Sequence, residues 1–380
     1  MSSTDALGLP SSNSKTLTQK LPFLGRLKYA LIAFALQNFL VKPFAFFKGW
    51  KDYLLPPQIR ADVVKTYASR PRLPIRVFFP LSSKPSSKLP ALFVVHGGGF
   101  VIGCSTDNEP WNRKFADTNN MIVVALNYAK APGSPFPKPI HDVEALFVSA
   151  ISDSSLPIDP TRVAMAGWSA GGNLALAASQ LESVRSRLRA IVPLYPAVDF
   201  TVALATKLRL RQYKPALGGF RGRPTEMLAS MANLFEWSYI PAGTDCRNPL
   251  LSPLFASRDT LPKHIFVIGC ELDMLGHEAW RFVSKLAGRP EPGMNDVVGR
   301  AEVAGKGEFI LDDERFHFEA TTSDGGTYRW LLVPDAIHGF DESRISDLAR
   351  DAEMGEDMAI KKDKAIAMIG EWLLAGPLKD

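Results

Sequence analysis

Two apolar runs that each end abruptly in glycine restrict this chain to few folds. Ala91-Leu92-Phe93-Val94-Val95 feeds His96-Gly97-Gly98-Gly99-Phe100, and Arg162-Val163-Ala164-Met165-Ala166 feeds Gly167-Trp168-Ser169-Ala170-Gly171-Gly172-Asn173. Short apolar runs bounded by glycine read as strands buried on both faces. An Ala/Leu-rich pattern then begins at Ala170 and reads as a helix reaching Leu181. Strand-like and helix-like runs alternate from Ile75 onward, which predicts an α/β fold: a mostly parallel central sheet with helices on both faces.

The two turns differ in weight as motifs. G-x-S-x-G arises by accident in roughly one chain in ten of this length, so alone it is weak. H-G-G-G is expected in only about a few chains per thousand. A phosphate cradle is disfavoured, because neither turn carries the Lys-Ser/Thr of a phosphate loop and no G-x-G-x-x-G with a trailing acid is present. A serine between strand and helix, on a turn that glycines keep tight, is a nucleophile setting. Glycine-rich backbone with free N–H groups is an anion cradle. Ser169 is thus the candidate nucleophile, and the N–H groups of Gly98, Gly99 and Ala170 are the candidate oxyanion hole.

A serine hydroxyl needs a base within hydrogen-bond reach, and the chain has 6 histidines. His96 sits inside the first turn and reads as structural. His141 and His277 fall on helical stretches, His264 opens a strand and His317 lies in a hairpin-like segment; these read as surface or packing residues. His338 follows the strand-like Tyr328-Arg329-Trp330-Leu331-Leu332-Val333 and sits in a loop, where a parallel sheet presents its reactive groups. An acid to orient it is expected after His264-Ile265-Phe266-Val267-Ile268-Gly269, with Asp273 and Glu271 both available there. Asp335 reads as a residue that shapes the turn before His338.

These residues resemble the hormone-sensitive-lipase-like, arylacetamide-deacetylase-like branch of the α/β-hydrolases, over most of residues 75–375. Asn127-Tyr128 through Pro135-Phe136-Pro137 to Asp142, Asn248-Pro249-Leu250-Leu251-Ser252-Pro253, Asp273-x-Leu275-x-x-Glu278 and His338-Gly339-Phe340 are similar to further segments of that family. The resemblance implies a serine carboxylic-ester hydrolase with the triad Ser169, Asp273 and His338, the order Ser, acid, His being the fold's own. It favours Asp273 over Glu271. It also implies an acyl-enzyme intermediate, an apolar small-molecule ester as substrate, no organic cofactor, no metal and a helical cap. Phe100 and Trp168 are expected in the pocket lining. The chain departs from the family in carrying Trp168 where an acid usually precedes the nucleophile. It also has a longer gap before the base, residues 289–326, in which Asp324-Gly325-Gly326 reads as a hairpin turn. That stretch reads as a lid edge, a partner surface or, most commonly for such segments, a solvated excursion.

Other readings use the same scaffold. An acyltransferase, an amidase or a lactone-opening enzyme would need the same triad. A ligand-binding receptor, as in plant gibberellin receptors, lacks the catalytic histidine that His338 supplies here.

The expected organisation is an N-terminal part over residues 1–70, hydrolase core over 71–198 and 246–380, and a second cap segment over 199–245. Residues 1–20 are Ser/Thr-rich and read as mobile. Residues 27–47 are apolar and aromatic but interrupted by Gln37, Asn38, Lys42 and Pro43. They read first as a cap helix over the site, then as a membrane-surface element, and least as a spanning anchor. Charge is +5 with acids and bases intermixed, and no basic run with aromatics points to nucleic acid. The acids of 351–357 and Lys361, Lys362 and Lys364 read as the solvated face of a C-terminal helix. Cys104, Cys246 and Cys270 are few and far apart, which reads as neither a disulfide framework nor a zinc site. With no Asn-x-Ser/Thr sequon, this leans to a cytoplasmic protein, peripheral on an intracellular membrane if residues 27–47 touch one. The sequence carries no signal of oligomeric state.

Overall fold

The computed structural model describes residues 15–379 apart from 19, 44–45, 48–49, 51–53, 56, 83–87 and 343–350. The apolar runs become strands whose residues are buried almost throughout: β3 (Leu89–Val95), β4 (Ile122–Leu126), β6 (Ala190–Leu194) and β7 (His264–Cys270). β5 (Ile158–Trp168) is partly exposed over residues 159–162 and buried from Val163 onward. With β1 (Val63–Lys65), β2 (Ile75–Phe78), β8 (His317–Thr321) and β9 (Thr327–Val333) they form, among the described residues, a 9-stranded sheet in the order β1-β2-β4-β3-β5-β6-β7-β9-β8. The pairs from β4 to β9 are parallel, and the antiparallel pairs lie at the two edges. Mostly parallel pairing requires both faces to be covered.

One face carries α3 (Lys138–Ile151), α4 (Ala170–Ala178) and α7 (Gly276–Leu286). The other carries α2 (Glu109–Asn119) and the long C-terminal α8 (Ala352–Ala375). Between α4 and α7 the chain leaves the sheet to form α5 (Leu204–Leu210) and α6 (Met227–Tyr239). The N-terminal helix α1 (Phe23–Ala35) packs on α6, with Tyr29 and Trp237 rings 5.8 Å apart. Gln37 Nε2 pins its continuation, donating to the carbonyls of Val101 and Ala131.

Register decides where the loops emerge. Val95 pairs with Gly167, Trp168 with Leu194 and Cys270 with Val333, so the loops after β3, β5, β7 and β9 open at one edge of the sheet. Loops at that edge carry the ligand site in open parallel sheets.

Several expectations need correction. Residues 1–14 lie outside the described set, but Lys15–Thr18 is docked: Lys15 N–H reaches Thr201 O and Thr18 N–H reaches Thr244 O. The segment 289–326 ends in the expected hairpin, yet its first half is no solvated excursion. Arg300 N–H donates to Glu271, Ala304 N–H donates to Asp335, and Val298 is fully buried. Nor is the C-terminal helix's charge all solvated. Asp357 and Lys361 are buried against each other, Asp357 takes a second bond from Arg221, and Lys361 donates to Pro334 O.

Candidate active site

The turn after β5 determines the geometry of Ser169, the candidate nucleophile. Ser169 holds φ 54° and ψ −118°, a conformation costly for an L-residue, immediately before α4. The turn closes because Gly171 has no side chain: a Cβ there would collide with the carbonyl oxygen of Val95 in the neighbouring strand. Ser169 Oγ lies 2.9 Å from His338 Nε2, and His338 Nδ1 lies 2.7 Å from Asp273 Oδ2. Asp273 is fully buried, and its other oxygen accepts the N–H of Leu275. Burial alone would lower the pKa of His338. The charge and hydrogen bond of Asp273 outweigh it, Glu226 and Glu342 add to them, and the imidazole is raised to about 9.

The loop after β3 faces this serine. Gly98 has φ 105° and Gly99 φ 57°, and Gly98 O accepts from Val101 N–H and Ile102 N–H, curling the loop. Among the described residues no hydrogen bond engages the N–H of Gly98, Gly99 or Ala170. His96 braces the loop: its Nδ1–H donates to Gly97 O at 2.8 Å and its ring stacks on Tyr128 at 4.4 Å. Burial and the nearby Lys130 push its pKa down to about 3, so it stays neutral. The remaining histidines serve locally. His141 meets Glu144, His264 meets Thr327, His277 meets Gly293 O, and His317 lies 4.0 Å from Glu319.

The rival acids are engaged elsewhere. Lys214, from the segment between α5 and α6, donates to Glu271 at 2.8 Å, to Asp335 at 2.6 Å and to Glu302 O at 2.7 Å. This buried cluster ties the segment between α5 and α6, the loops after β7 and β9, and the 289–326 segment together. Asp335 thus does more than shape a turn, and no sequence pattern announces Lys214 as its partner.

Two cavities meet at Ser169. The smaller, about 60 Å³, is bordered by Phe100, Ala197, Phe200, Leu228, Phe235 and Met274. The larger, about 1000 Å³, is bordered by Ile102, Leu208, Arg211, Phe220, Met231 and His338 among others. Phe100 stacks flat on Tyr239 of α6, with ring centroids 3.6 Å apart. Trp168, expected in the lining, is not there. It is fully buried on the opposite side of β5, where alternation places it with Ala164 and Ala166, against Trp111 of α2. Its indole N–H donates to Asp341.

One cluster of potential ligating groups, Glu226, Asp273 and His338, has its nearest ligand atoms within 4.8 Å of one another. Both nitrogens of His338 are already committed to Ser169 and Asp273, so these residues do not offer an open metal site. Sequence reasoning did not single out Glu226, which reaches Asp273 and His338 from the start of α6.

Residues 92–293 match the family model described as the alpha/beta hydrolase fold. An AB hydrolase superfamily protein of Schizosaccharomyces pombe is 28% identical over 247 residues, 61% of this chain and 69% of that one. Arylacetamide deacetylase of Oryctolagus cuniculus is 33% identical over 154 residues, 38% of each chain, so this chain spans well under half of that relative. An arylesterase of Saccharolobus solfataricus is 30% identical over 219 residues, 56% of this chain and 66% of that one. Among solved structures, a hyperthermophilic esterase from the archaeon Pyrobaculum calidifontis superposes with a TM-score of 0.61 at 21% identity, covering 95% of this chain and 100% of that one. A thermostable esterase from Pseudomonas putida gives 0.61 at 17% identity, covering 98% and 100%. At such identities the structural likeness speaks for the fold alone.

Proposed function

The chain belongs to the α/β-hydrolase fold family, in the branch that holds the arylacetamide deacetylases, and on that premise we propose that it hydrolyses apolar carboxylic esters through an acyl-enzyme on Ser169. The observation that carries this reading is the unbroken chain from Ser169 Oγ through His338 to Asp273, at 2.9 and 2.7 Å. Ser169 attacks the ester carbonyl while His338 Nε2 takes its proton. Asp273 holds the imidazole with Nδ1 protonated and stabilises the imidazolium. The oxyanion that forms is met by the free N–H groups of Gly98, Gly99 and Ala170. Collapse expels the alcohol, protonated by His338, and water then repeats the sequence to release the acid.

The general acid must reach the leaving oxygen. His338 borders the larger cavity, so the alcohol part lies there and the acyl part enters the smaller one beneath Phe100. This favours short acyl groups on bulky alcohols. Acyl transfer, amide cleavage or lactone opening would use the same groups, and only the acceptor or leaving group would differ. Hydrolysis of a short-chain aryl ester by wild type and Ser169→Ala tests the assignment; wild-type turnover in the alanine variant would refute it.

A membrane-surface role for the N-terminal region rests on a separate observation. Within Phe23–Val41 an 18-residue window has a mean hydropathy of 1.2, and only 6% of that window is buried. Phe23, Leu24, Leu31, Phe34, Phe39 and Leu40 face outward, while Tyr29 and Gln37 hold the other side to the cap and core. Residues 6–51 contain Lys15, Lys20, Arg26, Lys28, Lys42, Lys48 and Lys51 and no Asp or Glu. An exposed apolar helix in a stretch of sequence that carries cations and no acids suits the boundary of an anionic bilayer. The three cysteines are free thiols, which suits a reducing, cytoplasmic compartment.

A further inference from the structure

Glu226 stands outside the triad and against it. It directly precedes α6, in the cap, and its Oε2 accepts a 2.8 Å bond from the N–H of Met274, the residue after Asp273. One of its carboxylate oxygens lies within 4.8 Å of both Asp273 and His338. Its Oε1 is shut off from solvent and, among the described residues, has no hydrogen-bond partner. A buried acceptor left unpaired is costly, and the side chain makes no capping bond to α6, so a carboxyl held in this position calls for an explanation.

The groups acting on that carboxyl come from three directions. Asp273 lies on the loop after β7, His338 on the loop after β9, and Arg211 at the end of α5. Arg211 is itself occupied by the carbonyls of Leu272 and Pro224. Glu342, four positions after the base, adds its charge to His338. Asp273 is fixed by the core, whereas Glu226 belongs to a segment whose contact with the acid loop includes the Met274 bond. Lifting the cap would remove that charge from the base; seating it would restore it.

We propose that Glu226 is a positioning residue that couples closure of the cap to the basicity of His338. With the cap seated, its carboxylate, ionised above about pH 8, is a second negative group beside the imidazolium, added to Asp273. With the cap lifted, the latch to Met274 breaks and the base is left with Asp273 alone. Burial and the charge of Asp273 hold Glu226 at about 8, close to the value of about 9 for His338, so the two groups exchange charge within one pH window. The inference rests on the Ser169, His338 and Asp273 assignment and extends it to regulation of the base by the cap.

Glu226→Gln keeps an oxygen for the Met274 N–H and removes the charge. Following the ring-proton NMR signals of His338 against pH, the variant should titrate at least ~0.5 units lower than wild type, because even water-like screening leaves that much between charges about 5 Å apart. The acid limb of kcat/KM for a short-chain aryl ester should move by the same amount with KM little changed. Glu226→Ala, which also loses the latch, should repeat the shift and raise KM. Superimposable His338 titrations in wild type and Glu226→Gln would overturn the proposal whatever the activity. Retained turnover in Ser169→Ala would instead remove the hydrolase reading, and the NMR comparison would still decide the electrostatic coupling.

Discussion

Trp168 Nε1 donates a 2.7 Å hydrogen bond to Asp341 Oδ2, joining the residue before Ser169 to the loop that carries His338. Asp341 also accepts from Tyr195 Oη, and the Tyr195 ring packs edge-on against His338 at 4.8 Å. The position where the family usually has an acid therefore holds a donor here, and the acid it meets comes from the other side of the triad. Burial raises the pKa of Asp341, and the Tyr195 and Trp168 bonds work against that rise. Trp168→Phe leaves Asp341 with one of these donors and should lower unfolding stability by about 1–3 kcal/mol. Urea denaturation measures it; a loss within error would mean the bond is not a structural tie.

Asp273 and Glu271 are two residues apart yet should fail differently. Asp273→Asn should cut turnover by about 10⁴ with the fold intact, because the imidazole loses the partner that fixes its tautomer. Glu271→Gln should chiefly lower stability, since Glu271 faces Lys214 and not His338. Steady-state kinetics beside thermal melts separates the two, and a larger turnover loss in the Glu271 variant would reverse the assignment.

Activity and stability should respond oppositely to alkali. His338 titrates at about 9 in the folded chain against 6.5 for a free imidazole, and it must be neutral to accept the serine proton. kcat/KM should therefore climb as pH approaches 9. A raised histidine contributes stability that is full below 6.5 and lost as pH rises through about 9. Glu226, raised from 4.5 to about 8, and Glu278, raised to about 7, also favour the protonated folded state and lose their contribution as pH rises. Burial is the first cause for both. Urea midpoints at about pH 6, 7.5 and 9, which bracket the ~6.5–9 window, should fall in that order while turnover rises.

Lys214→Met should be among the most damaging single changes away from the triad. It strands the buried carboxyls of Glu271 and Asp335, which keep backbone donors but lose their cation. Breaking one side of such a pair costs about 3–5 kcal/mol. Because the cluster joins the loops bearing Asp273 and His338, turnover should fall along with stability. A variant that melts like wild type would show that the cluster is not what holds those loops.

Much of this was legible in the sequence for local reasons. β3, β7 and the second half of β5 are apolar runs, the serine turn is set by glycines within a few residues of it, and the β8–β9 turn is spelled by Asp324-Gly325-Gly326. Trp168 was legible but misread. It shares period-2 parity with Ala164 and Ala166, which fixes its side of the sheet. The Lys214 cluster and the Asp357–Lys361 contacts with Arg221 and Pro334 were not legible, because each joins residues distant in the chain whose charges look solvated in isolation. Glu226 likewise is one acid among Arg221, Arg223 and Arg211 until the cap folds over the triad.

The N-terminal helix gives the last test, and its geometry decides what is expected. Gln37 is bonded to the carbonyls of Val101 and Ala131 beside the oxyanion loop, so this helix cannot enter a bilayer end-on without leaving the hydrolase core. Its outward face, with Phe34 and Phe39 in edge contact, is free to lie along a surface. Full-length protein should co-sediment with vesicles containing phosphatidylserine and bind neutral vesicles more weakly, with each cation near the surface worth about 1 kcal/mol. Raising salt should weaken binding, as should Lys28→Glu with Lys42→Glu. Leu24→Ser with Phe39→Ser should weaken it at every salt concentration, because that pair removes apolar area rather than charge. Equal recovery in the supernatant with and without anionic vesicles at low salt would leave the helix as a cap over the pocket and nothing more.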